Sequence, residues 1–123
     1  MNVFLWILQA LLAAMFAMAG ATKSTRPKHE LAAQLPWVED FSPNLIRFIG
    51  AAELTAALGL ILPAATGIAT ILTPIAATGL AIIMAGAIVT HARRNEPQAI
   101  AFNTALLIAA AVIAWFRFGP YSL

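Results

Sequence analysis

Glu53 is the residue of this chain whose type and position point most directly to chemistry. It lies ten residues after Pro43 and ten residues before Pro63, in a stretch that is otherwise mostly apolar. At 1.5 Å per residue, its carboxyl group would lie about 15 Å from either end of a helix between these prolines. If that helix crosses a bilayer, an ionised carboxylate near its centre costs at least a few kcal/mol. The carboxyl group must therefore pair with a cation, face a wet cavity or keep its proton.

Four other polar residues are expected to approach Glu53 from the same side of the membrane. Arg47 and Asn103 lie about 6 Å and about 9 Å from the starts of their predicted helices, and Lys23 and His91 lie near the ends of theirs. The pattern predicts a ligand-binding polar pocket formed by all five residues. Plainer interpretations stay open: Lys23 and Arg47 could extend to lipid headgroups, and Asn103 could join helices. His91 could lie at the interface, and Glu53 itself could serve only to hold helices together.

Other kinds of site are disfavoured. The chain has no cysteine, which excludes thiolate catalysis and cysteine metal sites within it. Its two histidines, His29 and His91, lack the spacing of metal or haem ligands. We therefore predict no metal site, no catalytic residue and no binding of nucleic acid. Gln9 and Arg117, toward the other side of the membrane, are expected to be a packing contact and an interfacial anchor.

The elements that must position these residues are four transmembrane helices. Hydrophobic residues make up 62% of the 123 residues and charged residues only 10%. Residues 1–22, 54–90 and 97–116 carry no charged side chain, and a span needs roughly 20 apolar residues. The sequence predicts an all-α, four-helix transmembrane bundle forming one domain, 1–123, with spans at about 3–21, 43–62, 69–90 and 98–116. The first span lacks the basic segment of a cleaved signal peptide, so we expect it to be retained.

Helix boundaries and packing have local signals. Ser42 followed by Pro43 predicts a helix start, and Pro63, Gly67 and Pro74 predict the turn between the second and third spans. Small residues recur along the first three spans and predict close helix contacts. These residues are Ala10, Ala13, Ala17 and Gly20 on the first, Ala52, Ala56 and Gly59 on the second, and Gly79 and Gly86 on the third.

The connection between the first and second spans, residues 22–42, has a pattern of its own. Leu31, Leu35 and Val38 recur at near-helical spacing, which predicts a short interfacial helix broken near Pro36. An ordered polar lid with a few apolar contacts fits the same pattern. Basic residues concentrate in this loop and in the loop between the third and fourth spans. The positive-inside rule therefore places both termini outside the cytoplasm.

Several short motifs along the chain resemble the DoxX-like family of small bacterial membrane proteins. The first span ends Met18-Ala19-Gly20-Ala21-Thr22-Lys23. The second carries Arg47, then Gly50-Ala51-Ala52-Glu53-Leu54, Gly59-Leu60 and Pro63, and the third ends in Gly86-Ala87 with His91 and Arg93. The resemblance covers nearly the whole chain. It implies a four-helix bundle in a bacterial inner membrane.

The resemblance also implies an association with redox chemistry, because the family takes its name from a membrane subunit of a thiosulfate:quinone oxidoreductase. The chain has no cofactor fingerprint, so we expect no catalysis by the chain alone and at most an accessory role in a quinone-linked oxidoreductase. The first hypothesis is that the protein is a non-catalytic subunit, or a bundle that binds a lipid-like or quinone-like molecule. We expect it to form a homo-oligomer or to associate with a partner membrane subunit. The alternatives are a small proton-coupled transporter that uses Glu53, and an assembly factor for membrane proteins.

Overall fold

The structure, a computed structural model, describes residues 1–123 and consists of helices and their connections. The helices are α1 (Asn2–Thr25), α2 (Lys28–Gln34), α3 (Pro43–Thr66), α4 (Leu72–Arg93) and α5 (Pro97–Phe118), with a 3₁₀ helix at Pro36–Asp40 between α2 and α3. The four long helices, α1, α3, α4 and α5, are long and apolar enough to cross a membrane. The predicted fold, an all-α bundle with four apolar spans, is confirmed.

The turn between α3 and α4 differs from its prediction in detail. Gly67 ends α3 in a left-handed conformation, with a φ of 71°, and its N–H donates to the carbonyl oxygen of Pro63 at 2.9 Å. This is the usual role of glycine after a helix C-terminus. Residues 67–71 form the turn, so α4 begins at Leu72, three residues later than predicted. Pro63 and Pro74 lie within helices and do not break them.

A side chain from α4 compensates for the proline inside α3. Pro63 has no N–H to donate to the carbonyl oxygen of Gly59, four residues earlier. The hydroxyl group of Thr73, which is fully buried, donates to that oxygen at 2.9 Å. Because the proline leaves this carbonyl oxygen without its usual donor, the oxygen can accept a hydrogen bond that joins α3 to α4. At the start of α3, the predicted cap is present, because Ser42 Oγ accepts a hydrogen bond from the N–H of Leu45 at 3.2 Å.

The bundle consists of two closely packed pairs, α1 with α3 and α4 with α5. Contacts between α3 and α4 join the pairs, whereas α1 and α5 touch little. The central core contains Leu12, Phe16, Leu60, Leu80 and Ile113, all buried. The bundle has two distinct ends. The charged end carries residues 26–42 and the α4–α5 loop, residues 94–96; the terminal end carries both chain termini.

Glycines bring the backbones of α1 and α3 together near the charged end. A Cβ atom on Gly20 would lie 2.6 Å from the carbonyl oxygen of Gly50 and 2.6 Å from the amide nitrogen of Leu54. A Cβ atom on Gly50 would lie 2.7 Å from Cβ of Lys23. Only hydrogen fits at these two positions, and the close approach sets Lys23 directly against α3.

Not all of the predicted small-residue contacts exist. Gly59 lies against α4, where an added Cβ atom would be 2.8 Å from Cβ of Ala76. An added Cβ atom on Gly79 or Gly86 would meet nothing within 4 Å. These two glycines therefore do not serve helix packing.

The connection between α1 and α3 folds as predicted, into a short helix broken next to Pro36. We call residues 28–40 the interfacial segment. Its apolar side chains Leu31 and Val38 are buried against Ile46 of α3, so the segment is fixed to the bundle by a small core of its own.

Replacing Gly20 by alanine should separate α1 from α3. The added methyl group meets backbone atoms, which cannot rotate away, so we expect a loss of about 1–3 kcal/mol in unfolding free energy. Gly79→Ala is the matched control, a glycine-to-alanine change in a long helix with free space around it. It should leave stability unchanged or raise it by at most about 1 kcal/mol. Reversible unfolding in mixed detergent micelles measures both changes, and equal stabilities for the two variants would refute the close contact.

Candidate functional site

A buried ion pair joins α1 to α3 at the height of the Gly20–Gly50 contact. Lys23 Nζ donates to Glu53 Oε1 at 2.7 Å, and the side chains are 12% and 1% exposed. Lys23 Nζ also lies 5.4 Å from the ring centroid of Trp37 in the interfacial segment, within the range of a cation–π contact. This is the only hydrogen bond that the protein makes to the Glu53 carboxylate, so Oε2 is free to accept another.

The ion pair lines a cavity of about 650 Å³. Its walls come mainly from α1, α4 and α5, and α3 contributes Ile49 and Glu53. The apolar part of the wall includes Phe16, Met84 and Leu106. Trp37 and Phe41 cover the cavity from the charged end. The cavity is therefore an apolar chamber with a charged pair in its wall.

The structure brings four of the five predicted pocket residues to this cavity: Glu53, Lys23, His91 and Asn103. They do not form one network, however. Asn103 Nδ2 donates to the carbonyl oxygen of Ala99 in its own helix, at 2.7 Å. His91 Nδ1 lies 2.8 Å from Glu96 Oε1. Only Lys23 bonds to Glu53, and His91 and Asn103 present the rest of their side chains to the same space.

The structure does not bring Arg47 to the cavity. Its side chain is exposed and makes no hydrogen bond or ion pair within the protein. Arg47 and Glu53 are six residues apart, and at 100° per residue they point about 120° away from each other around α3. Proximity along the helix axis suggested a shared pocket, but the helical rotation separates the two side chains.

A cluster of charges that the sequence did not predict lies at the charged end, beside the cover of the cavity. Arg94 Nη1 donates to Asp40 Oδ2 at 2.9 Å, and Arg94 Nε lies 3.4 Å from Glu96 Oε1. The first contact ties the interfacial segment to the α4–α5 loop, 54 residues away along the chain. Glu96 and Trp37 line the cavity, and neither was predicted to do so. No local pattern signals a contact between two loops, although the proline after Glu96 marks a helix start.

Two residues of this cluster, Glu96 and Arg94, have shifted pKa values. The hydrogen bond with His91 holds the pKa of Glu96 below its ordinary value of 4.5, and Arg94 lowers it further. The hydrogen bond to Asp40 raises the pKa of Arg94. A carboxyl group whose pKa falls on folding stabilises the fold above its ordinary pKa, and this contribution is lost as the pH falls through the lowered value. The contacts of Glu96 should therefore persist through the neutral range.

A second polar cluster lies at the terminal end and corrects the expectation for Arg117. This residue is 2% exposed and is not an interfacial anchor. Its Nε donates to Gln9 Oε1 at 2.8 Å, and its Nη1 donates to Asn2 Oδ1 at 2.7 Å and to the carbonyl oxygen of Tyr121 at 3.0 Å. Gln9 Nε2 in turn donates to the carbonyl oxygen of Leu60 in α3, at 2.7 Å. Gln9 is thus a packing contact, as expected, and together with Arg117 it fastens α1 to α5 and α3.

Breaking the contact between Asp40 and Arg94 should loosen the interfacial segment. In Asp40→Asn or Arg94→Gln, we expect hydrogen exchange of residues 28–40 to accelerate modestly, because exposed ion pairs stabilise weakly. Arg93→Gln is the matched control, since Arg93 is exposed and has no ion pair. Hydrogen–deuterium exchange with mass spectrometry measures the effect. Equal exchange in Arg94→Gln and Arg93→Gln would show that the ion pair does not hold the segment.

Comparison with known proteins gives one match. Residues 7–113 match the sequence model of the DoxX-like family, and no curated protein or solved structure matches the chain. The matched range includes Lys23, Glu53 and nearly the whole of the four long helices. With four apolar helices and a family match over most of its length, this chain is a membrane protein that belongs to the DoxX-like family.

Proposed function

We propose that this protein is a non-catalytic membrane protein that binds a lipid-like or quinone-like molecule in the cavity beside Glu53, alone or as a subunit of a redox complex. The observation that carries the proposal is the buried ion pair in the wall of an apolar chamber. A cavity of about 650 Å³ lies within the usual range of small-molecule sites. Apolar walls with a few polar groups are also typical of such sites.

The polar groups suit a ligand head that carries oxygen atoms. The Lys23 ammonium group has three donors, and Glu53 Oε1 takes one of them. The others can donate to a carbonyl oxygen, and Glu53 Oε2 can accept from a hydroxyl group. The ring of Trp37 offers an aromatic surface on the same wall. A quinone or quinol ring fits this set of donors, acceptors and aromatic surface. A ligand of this kind also agrees with the redox association that the family resemblance implies.

Proton-coupled transport is the second candidate. Glu53 supports it, because a carboxyl group deep in a membrane helix is a recurrent feature of proton pathways. Its pairing with Lys23 favours the binding role, since the carboxylate already has a cation. Glu53-dependent proton uptake into vesicles would favour transport. For either role, we propose that the charged end faces the cytoplasm of a bacterial inner membrane, as its basic loop residues indicate.

Trp37 provides a direct test of binding. The chain has three tryptophans, and only Trp37 lines the cavity. With Trp6→Phe and Trp115→Phe, its fluorescence reports on the cavity alone. We expect a tailless benzoquinone to quench this emission saturably in protein reconstituted into vesicles. Quenching that rises linearly, without saturation, would refute the proposal.

Replacing the ion pair by apolar side chains should weaken binding and preserve the fold. The double change Lys23→Met with Glu53→Met leaves no unpaired charge, and such replacements are often neutral for stability. We expect quinone affinity to fall by about tenfold or more, the effect of losing one to two hydrogen bonds to charged groups. Arg47→Ala is the control, because Arg47 is a cation of α3 outside the cavity, and it should bind normally. Unchanged affinity in the double variant would exclude contact between ligand and pair.

Filling the cavity should block binding without disturbing helix packing. Gly86 lines the cavity, and a Cβ atom there meets nothing within 4 Å. Gly86→Leu should therefore occupy ligand space and abolish saturable quenching of Trp37. Gly79→Leu is the same substitution in the same helix, also in free space but outside the cavity, and it should bind normally. Equal binding by both variants would place the ligand elsewhere.

A further inference from the structure

We infer that the ligand enters the cavity sideways from the membrane, between α1 and α5, and that its apolar tail remains in this opening when it is bound. The inference rests on the proposed function and narrows the ligand class. The ligand would be an amphipathic molecule whose head fits the chamber and whose tail extends into the hydrocarbon of the bilayer.

The first support is the uneven packing of the four long helices. α1 packs along α3, and α4 packs along α5, but α1 and α5 touch little. At the terminal end, the hydrogen bonds of Arg117 to Gln9 and Asn2 close the space between α1 and α5. At the charged end, no hydrogen bond or ion pair joins these two helices, and the cavity lies between them. The space between α1 and α5 is therefore closed at one end and open at the other.

The second support is the position of two exposed residues of the cavity wall, Met15 on α1 and Phe102 on α5. Their side chains are 39% and 55% exposed, although both line the cavity. Met15 lies five residues from Gly20, which places it about 140° around α1 from the contact with α3. A groove between α4 and α5 is bordered by Ala111. Phe102 lies nine residues from Ala111 and therefore points about 180° away from this groove. Both residues therefore lie at the edges where α1 and α5 face each other.

The third support is the surroundings of the opening. Residues 1–22 and 97–116, which contain both edges, carry no charged side chain, so the opening faces hydrocarbon. The approach from the charged end is covered by Trp37 and Phe41 and fastened by the ion pair between Asp40 and Arg94. The open path into the chamber therefore leads from the apolar phase. An amphipathic ligand on this path would place its head at Lys23 and Glu53 and its tail between Met15 and Phe102.

A cross-link across the opening tests this path. The chain has no cysteine, so Met15→Cys with Phe102→Cys introduces a single reactive pair, here combined with Trp6→Phe and Trp115→Phe. A short bifunctional thiol reagent joins the two positions in vesicles. We expect the affinity for a benzoquinone with a decyl or polyprenyl tail to fall by about tenfold or more. The equilibrium affinity for the tailless benzoquinone should not change, because that molecule fits within the chamber, although its binding through the narrowed opening should be slower.

The outcomes separate the inference from the proposed function. If both quinones keep their affinity, or both lose it equally, the tail does not pass between α1 and α5 and the inference is wrong. The same two cysteines labelled with a monofunctional thiol reagent are the reference, so both affinities are compared between the labelled and the cross-linked forms of one variant. If neither quinone binds before cross-linking, the proposed function itself fails.

A second measurement does not depend on cross-linking. A quinone with a photoreactive diazirine on its tail should label residues at the opening, above all Met15 and Phe102, in the otherwise unmodified protein. Leu58 and Leu62 of α3 are similarly exposed and serve as internal controls for general contact with the membrane. Labelling spread evenly over all four residues would overturn the inference.

Discussion

The arrangement of this bundle depends on one constraint, which is that a carboxylate deep in an apolar helix must find its cation within the protein. Glu53 finds it in Lys23, at 2.7 Å. The short distance requires α1 and α3 to approach until their backbones touch, and this is possible because Gly20 and Gly50 have no side chains at the crossing. The ion pair and the glycine contact are therefore parts of one feature, since loss of either would displace the other.

Fixing α1 to α3 in this way has consequences for the rest of the bundle. The second pair, α4 and α5, joins the first through α3 and through the hydrogen bond of Thr73, which satisfies the carbonyl group left free by Pro63. At the terminal end, Arg117 and Gln9 draw α5 onto α1. Toward the charged end, nothing comparable draws these helices together, and a cavity remains. The positions of the polar groups thus determine where the helices pack closely and where a cavity remains.

The interfacial segment gives this hollow region a cover. Leu31 and Val38 bind the segment to α3, and Asp40 ties it to the α4–α5 loop through Arg94. Trp37 then extends over the ammonium group of Lys23, so the cover and the ion pair are in contact. The connection between the first two long helices is therefore part of the candidate site.

Composition and the spacing of residues along one helix were sufficient to predict several features of the protein. Uncharged runs revealed the four long helices, Ser42 and Pro43 marked the start of α3, and Glu53 stood out because acids are costly in hydrocarbon. The sequence also predicted that Lys23, His91 and Asn103 lie at a common level along the bundle, since this level depends only on the rise per residue.

Which of these side chains meet depends on the packing of the helices, which the structure shows. It directed Arg47 away from the cavity by the rotation of α3, paired His91 with Glu96, and buried Arg117 against Gln9 across 108 residues of chain. It also left Gly79 and Gly86 in open space, although their spacing resembles that of packing glycines. The physical reason is that contacts between helices depend on the rotation of each helix about its axis and on the order in which helices pack. Neither quantity is encoded in the residues of a single helix.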